Sequence, residues 1–278
     1  MKKISFAIVT VFLFFSCKVV SFTEKELFPG AGKPSANPVD TEVSYLNING
    51  EQLETWTYQQ DSPEVFIIFF PGNGGLTSGH AGFFKDIARI YKAKVTTVNY
   101  RGYGRSSGKP SVSAIEKDST SVVRKLSRLP QNSGLPLIIM AHSLGGFAAT
   151  RVAGLSEVSG LFFISTFTTS QELAGYWRKS LVPWYARPFI RIDAEPVVLT
   201  LDNISVIKEI YKPIVFIHGK KDDVIPYSMA ESLYRACPSV LKKLVFLEQA
   251  DHTSLISNPE HRKFLIKSLS FLMDYKTR

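Results

Sequence analysis

The chain has 278 residues, 45% of them hydrophobic, and its 33 basic and 24 acidic side chains leave a formal net charge of +9. This length and composition fit one globular domain with a large apolar core. The basic residues are dispersed and form no dense Lys/Arg run interleaved with aromatic residues, so we expect no nucleic-acid partner.

The N-terminus predicts export. Lys2 and Lys3 precede a largely apolar run over residues 4–15, which is followed by Ser16 and Cys17. This run is too short to cross a bilayer, which takes about 20 residues, so we expect a signal peptide over residues 1–16. Cleavage before Cys17 would leave a cysteine that can be lipidated, as in bacterial lipoproteins, whereas soluble secretion and an uncleaved anchor are the alternatives. The expected location is the bacterial cell envelope, with the membrane as a partner.

Residues 17–40 are rich in proline, glycine and small polar residues, which favours a tether over a packed element. We expect the folded domain to span residues 41–278. Its first element is predicted to be a β-hairpin, because Asn49 and Gly50 lie between two strand-like runs in residues 41–60.

Apolar runs of four to six residues then alternate with helical segments. We predict strands at 65–70, 94–100, 137–141, 161–165, 214–218 and 244–248, and helices at 81–91, 112–128, 143–155, 227–237 and 259–275. This alternation predicts an α/β fold with a mostly parallel, doubly wound sheet.

One segment, about 166–211, interrupts this alternation and is too long for an ordinary connection. We expect it to form a short helical cap. Its Trp177, Trp184 and Tyr185 are candidates for lining an apolar substrate pocket, and the alternative is a local core for the cap helices.

The stretch Ile138 to Thr150 begins as a buried strand and ends as a helix, with Ser143 at the junction. The spacing of Ala141, Ser143 and Gly145 follows the G-x-S-x-G nucleophile elbow, with alanine at the first glycine. A serine hydroxyl needs a histidine as base and a carboxylate to orient that histidine. The loops after two later strands offer Asp222, with Asp223 beside it, and then His252. The order Ser143, Asp222, His252 is the order of the α/β-hydrolase triad; a structural N-cap serine is the alternative for Ser143.

An oxyanion hole requires two backbone N–H donors near the nucleophile. Leu144 follows the nucleophile and is expected to supply one. The glycine-rich loop FFPGNGG follows the first predicted parallel strand, and Asn73 is the candidate for the other donor, with Gly74 as its rival. His80 is a further candidate for substrate contact, with helix capping as the alternative.

These motifs resemble the Bem46 and α/β-hydrolase domain-containing (ABHD) group of serine hydrolases. The similar segments are PGNGG at 71–75, NYRGYGRSSGKPS at 99–111 and HGKKDDVIP at 218–226, and the resemblance extends from Val65 to about Leu269. It implies an α/β-hydrolase fold and favours Asp222 over Asp223 as the triad acid. It also implies ester hydrolysis, often of lipid-like or acyl-chain substrates, without a metal or organic cofactor. Pro71 departs from the histidine usual in the group, and Ala141 from the usual glycine.

The expected activity is that of a serine hydrolase of the carboxylesterase or lysophospholipase type. The alternatives are a serine aminopeptidase, a thioesterase and a non-catalytic module that binds a hydrophobic ligand. The sequence contains no Cys/His cluster and no His-Glu-x-x-His motif, so we expect no metal site.

Overall fold

A computed structural model describes residues 18–30, 41–76 and 78–274. The strands of this part of the chain are β1 (Lys18–Phe22), β2 (Glu42–Ile48), β3 (Glu51–Tyr58), β4 (Val65–Phe70), β5 (Ala93–Val98), β6 (Leu137–His142), β7 (Val158–Ile164), β8 (Ile190–Ala194), β9 (Ile214–Gly219) and β10 (Lys242–Leu247). The helices are α1 (Glu24–Leu27), α2 (Ala81–Tyr91), α3 (Val112–Ser127), α4 (Gly145–Val152), α5 (Ser170–Leu181), α6 (Pro196–Leu199), α7 (Ile204–Ile207), α8 (Tyr227–Ala236), α9 (Ser254–Ser257) and α10 (Pro259–Met273).

Eight strands form one sheet in the order β10-β9-β7-β6-β4-β5-β3-β2. The six strands from β10 to β5 pair in parallel, whereas β3 pairs antiparallel both with β5 and with its hairpin partner β2. The hairpin turns at Asn49 and Gly50, whose φ angles of 50° and 84° are those that a tight two-residue turn requires. The predicted mostly parallel sheet with an N-terminal hairpin is confirmed.

Strand β4 shows why the sheet is covered on both faces. Its apolar side chains alternate: Phe66, Ile68 and Phe70 join one core cluster, and the intervening residues join the other. Helices α3, α4 and α8 pack on the first face, and α2 and α10 pack on the second. Because the parallel strands all point the same way, the loops at their carboxyl ends meet at one edge of the sheet.

The segment predicted as a cap, about 166–211, contains α5, α6 and α7 together with strand β8. Its base is closed by a bridge between Thr169 and Asp202. Asn203 is fully buried there, and its amide donates to the Phe167 carbonyl at 3.0 Å and accepts from the Thr150 hydroxyl at 3.0 Å. These bonds attach the cap to α4 beneath it.

The predicted tether over residues 17–40 is wrong for residues 18–30. Strand β1 pairs in parallel with β8, from Lys18 opposite Ile190 to Phe22 opposite Ala194. Helix α1 follows, and Leu27 and Phe28 are buried in the main core. Burial of these two apolar side chains stabilises the packed segment. The proline and glycine content of residues 17–40 led to the prediction of a tether instead.

The predicted signal peptide, Cys17 and residues 31–40 lie outside the described residues. No helix among the residues that the structure describes has both the length and the apolar character needed to cross a membrane.

Candidate active site

Ser143 lies on a sharp turn between β6 and α4. Its φ angle is 53°, a left-handed conformation that is strained for a residue with a side chain. The turn is closed by the bond from the Gly146 N–H to the Ser143 carbonyl at 3.0 Å, and it is joined to β7 by the bond from the Ser143 N–H to the Ile164 carbonyl at 2.9 Å. Gly145 is required because a Cβ there would lie 2.1 Å from the Phe70 carbonyl oxygen, and at Gly146 it would lie 2.3 Å from Thr166. The tight turn raises the serine hydroxyl above the edge of the sheet.

The structure brings the three predicted catalytic side chains together. The Nε2 atom of His252 lies 3.0 Å from Ser143 Oγ, and its Nδ1 atom lies 2.8 Å from Asp222 Oδ2. A carboxylate is an acceptor, so Nδ1 carries the proton and Nε2 is left to accept from the serine. This is the arrangement in which His252 can act as a general base.

Asp222 is a buried carboxylate with four hydrogen bonds. Oδ1 accepts from the backbone N–H groups of Val224 and Ile225 at 3.0 and 2.8 Å, and Oδ2 accepts from His252 Nδ1 at 2.8 Å. Oδ2 also lies 3.1 Å from His218 Nε2, whose N–H it shares with the Ile225 carbonyl at 2.8 Å. Burial acts to raise the pKa of Asp222, but the hydrogen bonds from the two histidines and the Ile225 N–H hold it well below its ordinary value. The acid therefore stays ionised. Asp223, the neighbour that the sequence pattern left open, is exposed.

His142, the residue before the nucleophile, contacts the triad from the side. Its Nε2 donates to the backbone carbonyl of His252 at 3.0 Å, and the two rings lie 5.0 Å apart between centroids. Burial, and after it the nearby charge of His252, lowers the pKa of His142 to about 3. A neutral His142 therefore holds the backbone of the catalytic histidine in place.

The glycine loop after β4 lies against the nucleophile. A Cβ on Gly72 would lie 3.2 Å from the Ser143 Cβ, and the loop is closed by a bond from the Gly75 N–H to the Gly72 carbonyl at 3.0 Å. Asn73 and Leu144 both border the space around Ser143. Within the described residues, neither of their backbone N–H groups has a hydrogen-bond partner, and the same holds for Gly74, so all three predicted donors are available.

Two tyrosines fix this loop, and the sequence analysis did not identify them. The Tyr103 hydroxyl donates to the Asn73 carbonyl at 2.7 Å, and the Tyr100 hydroxyl donates to the Pro71 carbonyl at 2.8 Å. Tyr103 lies in the RGYG turn after β5, and Tyr100 directly precedes that turn. A tyrosine in a turn has no sequence pattern that would predict such a bond. These two bonds fix the positions of two carbonyl groups and so orient the loop.

Two cavities meet at Ser143. The first, which we call the aliphatic cavity, has a volume of about 220 Å³, and its walls include Leu27, Phe167, Leu173, Trp177, Val198 and Ile225. The second, the glycine cavity, has a volume of about 320 Å³, and its walls include Gly72, Gly74, His80, His142, Thr253 and Ser257. Asn73, Ser143 and His252 border both cavities. A substrate bound across the serine would therefore have different surroundings on its two sides.

Two of the four predicted pocket residues line the cavities, and the other two lie at the surface. Trp177 lines the aliphatic cavity, and its indole N–H donates to the Val224 carbonyl at 2.8 Å. His80 lines the glycine cavity. Trp184 and Tyr185 line neither cavity; they lie beyond the end of α5 with most of their surface exposed, so their predicted pocket role is wrong. Phe22 and Leu27 line the aliphatic cavity instead.

The part of the chain that the structure describes contains no group of three or more His, Cys, Asp or Glu side chains arranged to hold a metal ion.

Comparison with known proteins identifies the family. A family model described as serine aminopeptidase, S33, matches residues 61–203, about half of the chain. The chain is 27% identical over 202 residues to protein bem46 of Schizosaccharomyces pombe, covering 70% of this chain but 64% of that protein. It is 25% identical over 263 residues to the uncharacterized membrane protein YNL320W of Saccharomyces cerevisiae, covering 88% and 89% of the two chains.

Among solved structures, an esterase from Pyrococcus furiosus has the same fold, with a TM-score of 0.68 at 14% identity over 89% of this chain and 98% of that chain. The resemblance to the Bem46 and ABHD group is thereby confirmed. The matched residues 61–203 begin ahead of β4 and include the elbow serine on its strand-to-helix turn, and the chain belongs to the serine aminopeptidase S33 family of α/β-hydrolases.

Proposed function

We propose that this protein hydrolyses carboxylic esters with an apolar acyl chain through an acyl-enzyme on Ser143. The observation that carries this proposal is the 3.0 Å contact between Ser143 Oγ and His252 Nε2 at the mouth of the aliphatic cavity. The hydrogen bond supplies an activated nucleophile, and the cavity supplies a place for an acyl chain.

The chemistry follows from the positions of the atoms. His252 Nε2 takes the Ser143 proton as Oγ bonds to the ester carbonyl carbon, and the carbonyl oxygen gains a negative charge. The N–H groups of Leu144 and Asn73 stabilise that charge, each contributing on the order of a hundredfold or more in rate. The carbon–oxygen bond to the alcohol then breaks, and His252 donates its proton to the leaving oxygen. Water attacks the acyl-serine with His252 again as base, which releases the carboxylic acid and restores Ser143.

The aliphatic cavity favours chains of medium length. An apolar cavity of about 150 Å³ holds a benzene ring of six carbons, so about 220 Å³ corresponds to about nine carbons. Each buried methylene contributes about 0.8 kcal/mol, which favours octanoyl over acetyl esters. In this orientation the alcohol occupies the glycine cavity, where His80, Thr253 and Ser257 offer hydrogen-bonding groups.

The family description favours a serine aminopeptidase as the second candidate. Such an enzyme must bind the ammonium group of a peptide N-terminus, which requires a carboxylate or several carbonyl acceptors near the scissile bond. No aspartate or glutamate is among the described residues that line either cavity. This supports an uncharged acyl group over an aminoacyl group. A thioesterase would use the same triad and the same cavity.

A fluorophosphonate probe tests the proposal. We expect the folded protein to be labelled and Ser143→Ala to lose both labelling and hydrolysis of p-nitrophenyl octanoate. Ser170→Ala is a matched control, since Ser170 also lines the aliphatic cavity but lies away from His252. Failure of the folded protein to label would favour the non-catalytic binding module, and faster cleavage of aminoacyl amides than of esters would favour the aminopeptidase.

A further inference from the structure

An exposed apolar surface lies at the end of helix α5, outside the active site. Leu181, Trp184 and Tyr185 are 75%, 76% and 64% exposed. The two aromatic rings are edge to face with centroids 5.9 Å apart. We call these three residues the cap tip. Large apolar side chains grouped at the surface indicate an interaction site more often than scattered ones do.

The loop that carries the cap tip is held rigidly. Arg187 donates from Nε to the Val182 carbonyl at 2.9 Å and from an Nη to the Lys179 carbonyl at 2.7 Å, which satisfies the last turn of α5. Arg178 in turn donates to the Arg187 and Ile190 carbonyls at 2.7 and 3.0 Å. The two aromatic side chains are therefore exposed on a loop whose backbone is held by four hydrogen bonds from arginine side chains.

The charged residues next to the cap tip in sequence are basic. Residues 178–191 include Arg178, Lys179, Arg187 and Arg191 but no aspartate or glutamate. Lys179 is exposed, and Arg191 is largely exposed although it lies 3.7 Å from Asp193. Aromatic residues bordered by basic ones are typical of surfaces that bind anionic lipid headgroups, because the rings enter the interface while the cations pair with phosphates.

The N-terminal chain arrives at the same place. Lys18, the first residue of β1, pairs with Ile190, which directly follows the loop bearing the cap tip. Strand β1 is therefore held against the residues that follow the cap tip, although the two segments are far apart in sequence.

Helix α5 connects this side to the active site. Leu173, Trp177 and Leu181 are spaced four residues apart and lie along one face of the helix. Leu173 is 8% exposed and lines the aliphatic cavity together with Trp177, whereas Leu181 belongs to the cap tip. The helix therefore presents an apolar stripe that leads from the surface to the cavity.

We propose that the cap tip is a membrane-docking surface that inserts Trp184 and Tyr185 into the interface of a bilayer containing anionic lipids. The cap tip then contacts the bilayer, and helix α5 leads from it to the aliphatic cavity. This inference concerns membrane binding and does not depend on ester hydrolysis.

Tryptophan fluorescence with brominated lipids tests the proposal on the full chain. The protein is mixed with phosphatidylglycerol/phosphatidylcholine vesicles whose acyl chains carry bromine near the headgroup, which quenches only tryptophans at that depth. The chain has three tryptophans, and Trp56 is fully buried. We expect the fluorescence of the unchanged protein to be quenched. Trp184→Phe should abolish this quenching, whereas Trp177→Phe, the matched control, should retain it. The N-terminal segment cannot produce this result by itself, because it contains no tryptophan.

A charge-matched pair of variants tests the lipid class. Lys179→Gln with Arg191→Gln should weaken insertion of Trp184 into phosphatidylglycerol vesicles by about tenfold or more. Lys208→Gln with Lys267→Gln removes the same charge from exposed positions elsewhere and should leave quenching unchanged. Quenching that survives Trp184→Phe, or no quenching at all, would overturn the proposal. If the protein forms a dimer without lipid, and the double variant Trp184→Ala with Tyr185→Ala is a monomer, the cap tip is a self-association surface instead.

Discussion

At the scale of single residues, the site depends on how Asp222 is held. Its carboxylate accepts four hydrogen bonds, of which only one comes from the histidine that reacts. The others, from His218 and two backbone N–H groups, prevent the carboxylate from rotating. The orientation of His252 is therefore determined by residues that take no part in bond making.

Asp222→Asn should lower kcat for p-nitrophenyl octanoate by about 10⁴-fold, because a neutral amide neither selects the Nδ1–H tautomer of His252 nor stabilises its charged form. Steady-state kinetics with active-site titration would measure the effect. Asp223→Asn is the matched control, since Asp223 is adjacent in sequence and exposed. An equal loss in both variants would remove Asp222 from its assigned role.

At the scale of elements, helix α5 forms one wall of the aliphatic cavity and should limit the length of the acyl chain. Ala174 lines the cavity, so Ala174→Phe fills part of it. We expect kcat/KM for the octanoyl ester to fall about 10- to 200-fold, the range that small changes of shape in apolar pockets produce, while the acetyl ester is cleaved nearly as before. A series of p-nitrophenyl esters from two to twelve carbons would measure this.

Gln171→Phe introduces the same ring on the same helix at an exposed position outside the cavity. It should leave the chain-length profile unchanged. If Ala174→Phe leaves the chain-length profile of the ester series unchanged, the acyl chain binds outside the aliphatic cavity.

The N-terminal segment, β1 and α1, is a second element with a measurable contribution. Phe28 is buried with its ring centroid 6.4 Å from that of Tyr103, whose hydroxyl donates to the glycine loop after β4. Phe28→Ala should reduce the free energy of unfolding by about 3 kcal/mol, because it removes a buried ring and leaves a cavity.

Urea denaturation would detect this loss as a lower midpoint. Phe264→Ala, at a largely exposed phenylalanine of α10, should change stability by no more than about 0.5 kcal/mol. If the two variants unfold at the same urea concentration, the segment does not pack against the domain as described.

Local patterns predicted the sheet because each central strand is a short apolar run that ends before a loop. They also predicted which loops carry the reactive groups, since parallel strands end at the same edge. They failed for β1 and β8, whose pairing joins distant residues that share no sequence signal. They failed for Trp184 as well, because an aromatic residue between helices has the same local pattern whether it is buried or exposed.

At the scale of the whole molecule, His142 couples stability to pH. Its pKa is lowered from the ordinary 6.5 to about 3 in the folded chain. As pH falls below 6.5 the unfolded chain binds a proton that the folded chain does not, so stability decreases with acid. Lowering the pH from 7.5 to 5 should therefore reduce the free energy of unfolding by about 2 kcal/mol through this one group.

His142→Gln removes this titration and should flatten the pH dependence by the same amount. Unfolding free energies from urea titrations at pH 7.5 and pH 5, measured on both proteins, give the difference. The lowered pKa of Asp222 does not interfere, because its contribution is lost only near and below pH 4. If the unfolding free energies of the two proteins change equally with pH, His142 has the same protonation in the folded and unfolded chain, and the prediction is wrong.

The pairing of β1 with β8 also orders events during synthesis. Lys18 is synthesised before its partner Ile190, which lies 172 residues later in the chain. At about 5 to 20 residues per second, about 10 to 30 seconds pass before this ladder can close. Throughout that interval Leu27 and Phe28 lack their final surroundings, and the aliphatic cavity lacks a wall. The segment of β1 and α1 therefore stays undocked until about two thirds of the chain has been made, and during that time it is accessible to any factor that binds the growing polypeptide.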